Sequence, residues 1–319
     1  MSENRNRLGV IDIGSNSIRL IIYEAGADGT CRMIHKAKET VRLGVRRDEN
    51  GNMIEEDIRT VIPILQKFKH ICATNHTHQI RAVATAAVRQ SANTEEIMKC
   101  WESNTDIKVQ ILSGEEEAYF GFLGVMRSMP AHVTEGFIVD IGGGSTEISY
   151  FKNNQLIQST SLPCGAVNMT MQNGGTDHWS EQSTAQLEQN IQQQLAEYPW
   201  TAMHPDLPLI GLGGGIRALA RMERERKRQS KPASDPYRID PDTIFFYAEA
   251  LATLSLEERV NRFDLGKDRA DIIVAGTLIL RTLLKHMKCS ALLASWRGLS
   301  DGFSHHFFTA ESASSRPTS

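Results

Sequence analysis

The chain has 319 residues, 40% of them hydrophobic and 23% charged, which is more than one ordinary core needs; two domains are expected and a disordered chain is excluded. Lys+Arg 35 against Asp+Glu 38 leaves a formal charge of −3, so the whole protein is not an electrostatic partner for nucleic acid or an anionic membrane. The longest apolar stretch, residues 272–284, is interrupted by Gly276, Thr277, Arg281 and Thr282, so no transmembrane helix is expected.

The polar opening MSENRNR carries no signal-peptide core, which points to a cytoplasmic protein. Residues 8–13, 18–25 and roughly 33–43 read as successive strands, with Gly14 to Ser17 as the first turn. Ile58, Val61, Ile62, Leu65 and Phe68 then recur at helical spacing, and Pro63 among them predicts a kink. Residues 79–84 return as a strand. Asn93 followed by Glu96 predicts a capping box for the next helix, and residues 108–112 form another strand. A second β-rich start follows at Phe137. Strands alternating with helices give an α/β class, with sheets flanked by helices. The cysteines Cys31, Cys72, Cys100, Cys164 and Cys289 are odd in number and lack any C-x-x-C pair, so neither disulfides nor zinc is expected.

The second start repeats the first. VIDIGSNSIRLII overlays VDIGGGSTEISYF at an offset of 128 residues, placing Asp12 on Asp140, Ile13 on Ile141, Gly14 on Gly142 and Ser17 on Ser145. Two copies of a strand–turn–strand unit suggest duplicated halves with a cleft between them, although shared glycine-turn chemistry is the plainer alternative. In each copy an apolar strand ends in Asp, and a small-residue turn then offers consecutive N–H groups, an anion cradle. Asp12 and Asp140 would repel phosphate directly, so a divalent cation between carboxylate and phosphate makes sense of them. A third glycine turn, 211–215, is followed by a helical pattern. Gly213 to Ala218 satisfies the dinucleotide pattern G-x-G-x-x-A, but RMERERKRQSKPASDPYR follows where a second strand ending in an acid is required. Dinucleotide binding is therefore discounted, and a Walker pattern is absent because Asp268 follows Gly266-Lys267.

Taken in order, LGVIDIGSNSIRL, ATAAVRQSAN, SGEEEA, VDIGGGSTEI, GLGGGIRALA and GKDRADIIVAG resemble the exopolyphosphatase/guanosine pentaphosphate phosphatase (Ppx/GppA) family, within the actin-like superfamily. The resemblance implies two ribonuclease-H-like domains with mixed sheets flanked by helices and an active site in the interdomain cleft. Its expected bounds are 1–126 and 127–298, a C-terminal helix at about 299–311 packing back on the first domain, and a disordered tail at 312–319. It further implies removal of the terminal phosphate from inorganic polyphosphate or guanosine pentaphosphate, with magnesium, by a homodimer.

Of the acidic run Glu115 to Glu117, Glu116 is claimed by a capping box with Ser113, while Glu117 shares a face with Gly121 and Gly124. The resemblance makes Glu117, immediately before Ala118, the catalytic carboxylate. It makes Glu147 the second one, working with Asp140 on metal or water. Glu147 stands where the repeat has Arg19, so the halves differ in charge sign. Arg89 resembles the family's phosphate-holding arginine and otherwise reads as a surface residue. The expected phosphate-binding set is Gly14, Ser15, Asn16, Ser17, Arg89, Gly142, Gly143, Gly144, Ser145, Gly213 and Gly214. Arg19 and Arg269 are weaker substrate contacts, Arg269 also fitting a helix-start surface role. Asp12, Asp140 and Glu147 are the expected metal ligands. The cluster Arg221, Arg224, Arg226, Lys227, Arg228 and Lys231 reads as a solvated helix end or as a track for a polyanionic tail. A phosphotransferase and a catalytically idle alarmone sensor are the rival functions, since the fold serves all three.

Overall fold

The computed structural model describes residues 6–26, 30–43, 45–77, 79–173, 175–229 and 235–314. The chain divides into two compact units, one of residues 1–124 with 299–319 and the other of residues 125–298.

The first unit opens with β1 (Arg7–Ile13), β2 (Ser17–Ala25) and β3 (Cys31–Thr40), then α1 (Glu55–Thr74) and β4 (Gln79–Ala84). It continues through α2 (Ala86–Arg89), α3 (Thr94–Thr105), β5 (Val109–Ile111) and α4 (Gly114–Met126). The sheet order is β3-β2-β1-β4-β5, with β1 antiparallel to β2 and parallel to β4. A mixed sheet of this kind needs cover on both faces. Ile11, Ile13, Leu20 and Ile22 pack with Val61, Leu65 and Phe68 of α1 and with Trp101 of α3. Leu8, Val10, Tyr23 and Val83 pack with Phe120 of α4 and with Leu299 and Phe303 of the C-terminal helix. Each buried side chain of that size contributes about 1.5–3 kcal/mol.

Helical geometry in α1 continues through Pro63, which is exposed. The capping box expected of Asn93 does not form. Its side chain is recruited elsewhere, accepting from Met53 N at 2.9 Å and donating to Met53 O at 3.1 Å. The same Nδ2 also donates to Glu96 Oε2 at 3.2 Å, so the side chain bridges α3 to Met53 instead of capping the helix backbone.

In the second unit β6 (Glu135–Ile141), β7 (Thr146–Lys152) and β8 (Gln155–Leu162) lead into α5 (Ala166–Asn173) and α6 (Glu181–Leu195). Next come β9 (Pro208–Leu212), α7 (Gly214–Arg226), β10 (Tyr237–Ile239) and α8 (Pro241–Thr253). Then follow α9 (Leu256–Phe263), α10 (Lys267–Ala270), α11 (Ile273–Met287) and β11 (Ala291–Ala294). The sheet order is β10-β11-β9-β6-β7-β8, with β6 antiparallel to β7 and parallel to β9. Apart from Lys285 and His286, α11 is buried on every side, the mark of a helix at the centre of a core.

The last helix, α12 (Leu299–Ser314), belongs to the first unit and packs beside α4. Positions 315–319 of the expected tail lie outside the described residues. No helix among the described residues is long and apolar enough to cross a membrane.

Candidate active site

The hairpins repeat in three dimensions as in sequence. Ile13 pairs with Ile18 and Asp12 with Arg19, while Ile141 pairs with Thr146 and Asp140 with Glu147. Gly14 N donates to Ser17 O at 3.2 Å, and Gly142 N donates to Ser145 O at 3.0 Å. Both turns close in the same way.

In the first turn Ser15, Asn16 and Ser17 are buried, unusual for a strand connection. The Asn16 carbonyl accepts from Val41 N and Arg42 N at 3.1 and 3.3 Å, which fixes its backbone. Its side chain is different: Oδ1 and Nδ2 are both buried and neither has a hydrogen-bond partner among the described residues. An orphaned buried amide costs roughly 1–3 kcal/mol per group, so the position suits a polar ligand that would satisfy it.

The second turn shows how an anion cradle is aimed. Gly142 O accepts from Ala166 N at 2.9 Å, Gly143 O from Val167 N and Asn168 N at 2.8 and 3.2 Å, and Gly144 O from Asn168 Nδ2 at 3.2 Å. With these carbonyls turned toward α5, trans peptide geometry points the N–H groups of Gly143, Gly144 and Ser145 the opposite way. Gly165 makes this possible, because a Cβ there would lie 2.4 Å from Gly143 C and O. Gly165 and Asn168 were not among the expected site residues. Only the P-C-G-A-V-N run after β8 hints at them.

Glu147 is buried beside Asp140 in the ladder, and Ser161 Oγ donates to its Oε1 at 2.7 Å. Directly opposed side chains share a sheet face, so these two carboxylates repel unless a cation or proton intervenes. In the first hairpin the corresponding aspartate faces Arg19 instead. Gly213, at φ +97°, ends β9 against β6: a Cβ there would meet Ile141 O at 2.7 Å and Asp140 Oδ1 at 3.1 Å. The Arg269 guanidinium lies against Gly214, whose Cβ would be 2.4 Å from Nη2. Asp140, Gly142 to Ser145, Glu147, Gly213, Gly214 and Arg269 therefore gather at the carboxyl ends of β6 and β9. Arg269 is half-buried there, not a bare surface residue.

At the corresponding edge of the first unit, β1, β4 and β5 end together. Thr85 N donates to Ile13 O at 3.2 Å and Leu112 N to Ala84 O at 2.9 Å. The helices that follow β4 and β5 carry Arg89 and Glu117. Ser113 and Glu116 form the expected capping box, at 2.8 and 3.1 Å, which leaves Glu117 for another task. Arg89 Nη1 donates to Glu117 Oε2 at 2.9 Å and to Leu112 O at 2.8 Å. The surface reading of Arg89 is thereby excluded, since its side chain is 22% exposed and that of Glu117 11%.

Among the described residues no group of three or more His, Cys, Asp or Glu makes a ready metal site. Asp140 and Glu147 are hard oxygen donors opposed across one ladder, and that donor set fits a divalent cation. Part of the basic segment is committed to the core of the second unit. Arg226 binds Glu223 through two 2.8 Å hydrogen bonds, Lys227 pairs with it at 3.0 Å, and Tyr247 donates to it at 3.2 Å. Arg226 and Lys227 thus follow the helix-end reading, and Lys231 lies outside the described residues.

Residues 7–307 match the model of the Ppx/GppA phosphatase family. Exopolyphosphatase 1 of Mycobacterium tuberculosis is 28% identical over 293 residues, 90% of this chain and 83% of that protein. A crystal structure of a Ppx/GppA family member from Aquifex aeolicus superposes with a TM-score of 0.80 at 27% identity, covering 96% of this chain and 99% of that one. The crystal structure of an exopolyphosphatase from Cytophaga hutchinsonii gives a TM-score of 0.87 at 23% identity, over 96% and 98% of the two chains. Two mixed sheets flanked by helices thus form the actin-like fold of these structures.

Proposed function

The chain belongs to the Ppx/GppA phosphatase family, and we propose that it removes the terminal phosphate from inorganic polyphosphate, and from guanosine pentaphosphate, by direct attack of water. The observation that carries this reading is the Arg89–Glu117 pair at the carboxyl edge of the first sheet, a phosphate-binding cation and a base in one 2.9 Å contact. Water attacks the terminal phosphorus in line, the bridging oxygen departs with the shortened chain, and Glu117 accepts the proton lost by water. Arg89 binds non-bridging oxygens as a planar donor. N–H groups of Gly143, Gly144 and Ser145 in the second unit offer neutral donors to a phosphate chain, as the amide of Asn16 does in the first, so that little reorganisation is left for the transition state. Asp140 and Glu147 would hold a divalent cation, magnesium in the simplest case, which would neutralise phosphate charge.

Phosphate release from polyphosphate, guanosine pentaphosphate and ATP, each with and without ADP, tests the reading. Hydrolysis independent of ADP is expected, with Glu117→Gln lowering kcat by roughly 10²–10⁴-fold while the circular-dichroism melt is retained. ATP formation from polyphosphate and ADP would replace the hydrolase by a phosphotransferase. Tight binding without turnover would make the chain an alarmone sensor.

A further inference from the structure

Arg259 of α9 is wholly buried, and its guanidinium is directed at backbone carbonyls. Nε and Nη2 donate to Leu254 O at 3.1 and 3.0 Å, and Nη1 donates to Thr176 O at 3.1 Å and to Ala270 O at 2.7 Å. Nη2 also donates to Asp177 O. The base of the side chain is fixed as well, because the Ser255–Glu258 capping box anchors the start of α9 at 2.8 and 3.2 Å. One buried cation therefore ties together the segment before α6, the segment before α9 and the end of α10.

A helix of four residues such as α10 does not persist on its own, and its closing carbonyls need partners. Ala270 O, at its end, finds the Arg259 guanidinium, where a positive charge is favoured. The residue before Ala270 is Arg269, the one laid on Gly214. A comparable arrangement supports Arg89 in the first unit: Arg47 Nη2 donates to Ala87 O at 3.0 Å and its Nη1 to Ser91 Oγ at 2.7 Å, within and just beyond the four-residue α2.

We propose that Arg259 is a positioning residue that grips Ala270 O and so holds the Arg269 guanidinium on the third glycine turn, where it meets the phosphate chain of the substrate. The inference rests on the reading of that turn as a phosphate site. Burying a charge is expensive, and a lysine cannot replace the fork that spans several carbonyls at once.

The test is a double-mutant cycle in the full chain with polyphosphate and magnesium, using Arg259→Lys, Arg259→Met, Arg269→Ala and the combinations. Each Arg259 variant is expected to raise KM for polyphosphate roughly tenfold with kcat within about twofold, and to add nothing further in the Arg269→Ala background. Hydrogen exchange at residues 267–270 is expected to quicken while α11 stays protected. Equal KM increases in both backgrounds would overturn the proposal, as would unchanged exchange in α10. Failure of both variants to fold would also overturn it, making Arg259 a requirement of the whole unit rather than of α10. A wild-type chain without turnover would instead refute the hydrolase reading, and the exchange measurement would still judge Arg259.

Discussion

Replacing Gly302 by alanine would add one carbon to α12 where it crosses α4. That carbon would lie 1.9 Å from Phe120 O and 2.7 Å from Gly124 N. These atoms stand at i and i+4 of the α4 ladder, so the obstacle is helix backbone and no side chain can swing aside. Since real Cβ atoms essentially never approach within 3.0 Å, the two helices must separate by at least about 1 Å. Glu117 is three residues before Phe120, less than one helical turn away, and moves with it. A displacement of that size at a catalytic group costs on the order of 10²-fold in rate, and overpacking costs about 1–3 kcal/mol of stability. The assay is phosphate release from polyphosphate, giving kcat and KM, beside a circular-dichroism melt. A loss of about 10²-fold in kcat is expected. Gly276→Ala in α11, with its Cβ at an ordinary 3.5 Å from Ala166 Cβ, is the control and should keep full activity. Wild-type kcat and melting temperature in Gly302→Ala would refute the argument that this backbone contact sets the position of Glu117.

Two further outcomes follow from the second unit. Asp140→Asn should raise the magnesium concentration needed for half-maximal activity by roughly 10–100-fold, read from a metal titration at saturating polyphosphate; an unchanged titration would remove Asp140 from the cation site. Burial works to raise the Glu223 carboxyl, yet its hydrogen bonds to Arg226 and Lys227 hold it below the usual 4.5. A lowered carboxylate stabilises the fold above pH 4.5, and this contribution is lost as pH falls through the folded value. Glu223→Gln should therefore cost about 1–3 kcal/mol at pH 7, discounted for the exposed outer sides of Arg226 and Lys227, with the difference narrowing under acid. Melting curves from pH 7 to about pH 3 check it, and a constant difference would contradict it.

Local chemistry was legible in the sequence because local geometry decides it. The Ser113–Glu116 capping box depends on residues three apart, and the repeated hairpins keep their turn bonds because Gly14 and Gly142 close them alike. What escaped depended on contacts between distant segments. Arg89 meets Glu117 across 28 residues of chain, and nothing in either stretch announces the pairing. Asn93 has the right neighbour for a cap but is drawn to Met53, 40 residues away. Gly165 and Gly302 look like ordinary glycines until another backbone is laid against them.

The opposed pairs Asp12–Arg19 and Asp140–Glu147 divide a duplicated scaffold into unlike arms. At that rung one copy sets a basic residue opposite its aspartate, and the other sets a second acid. The residue opposite the shared aspartate, Arg19 in one copy and Glu147 in the other, thus sets the charge of each rung and breaks the likeness of the two copies.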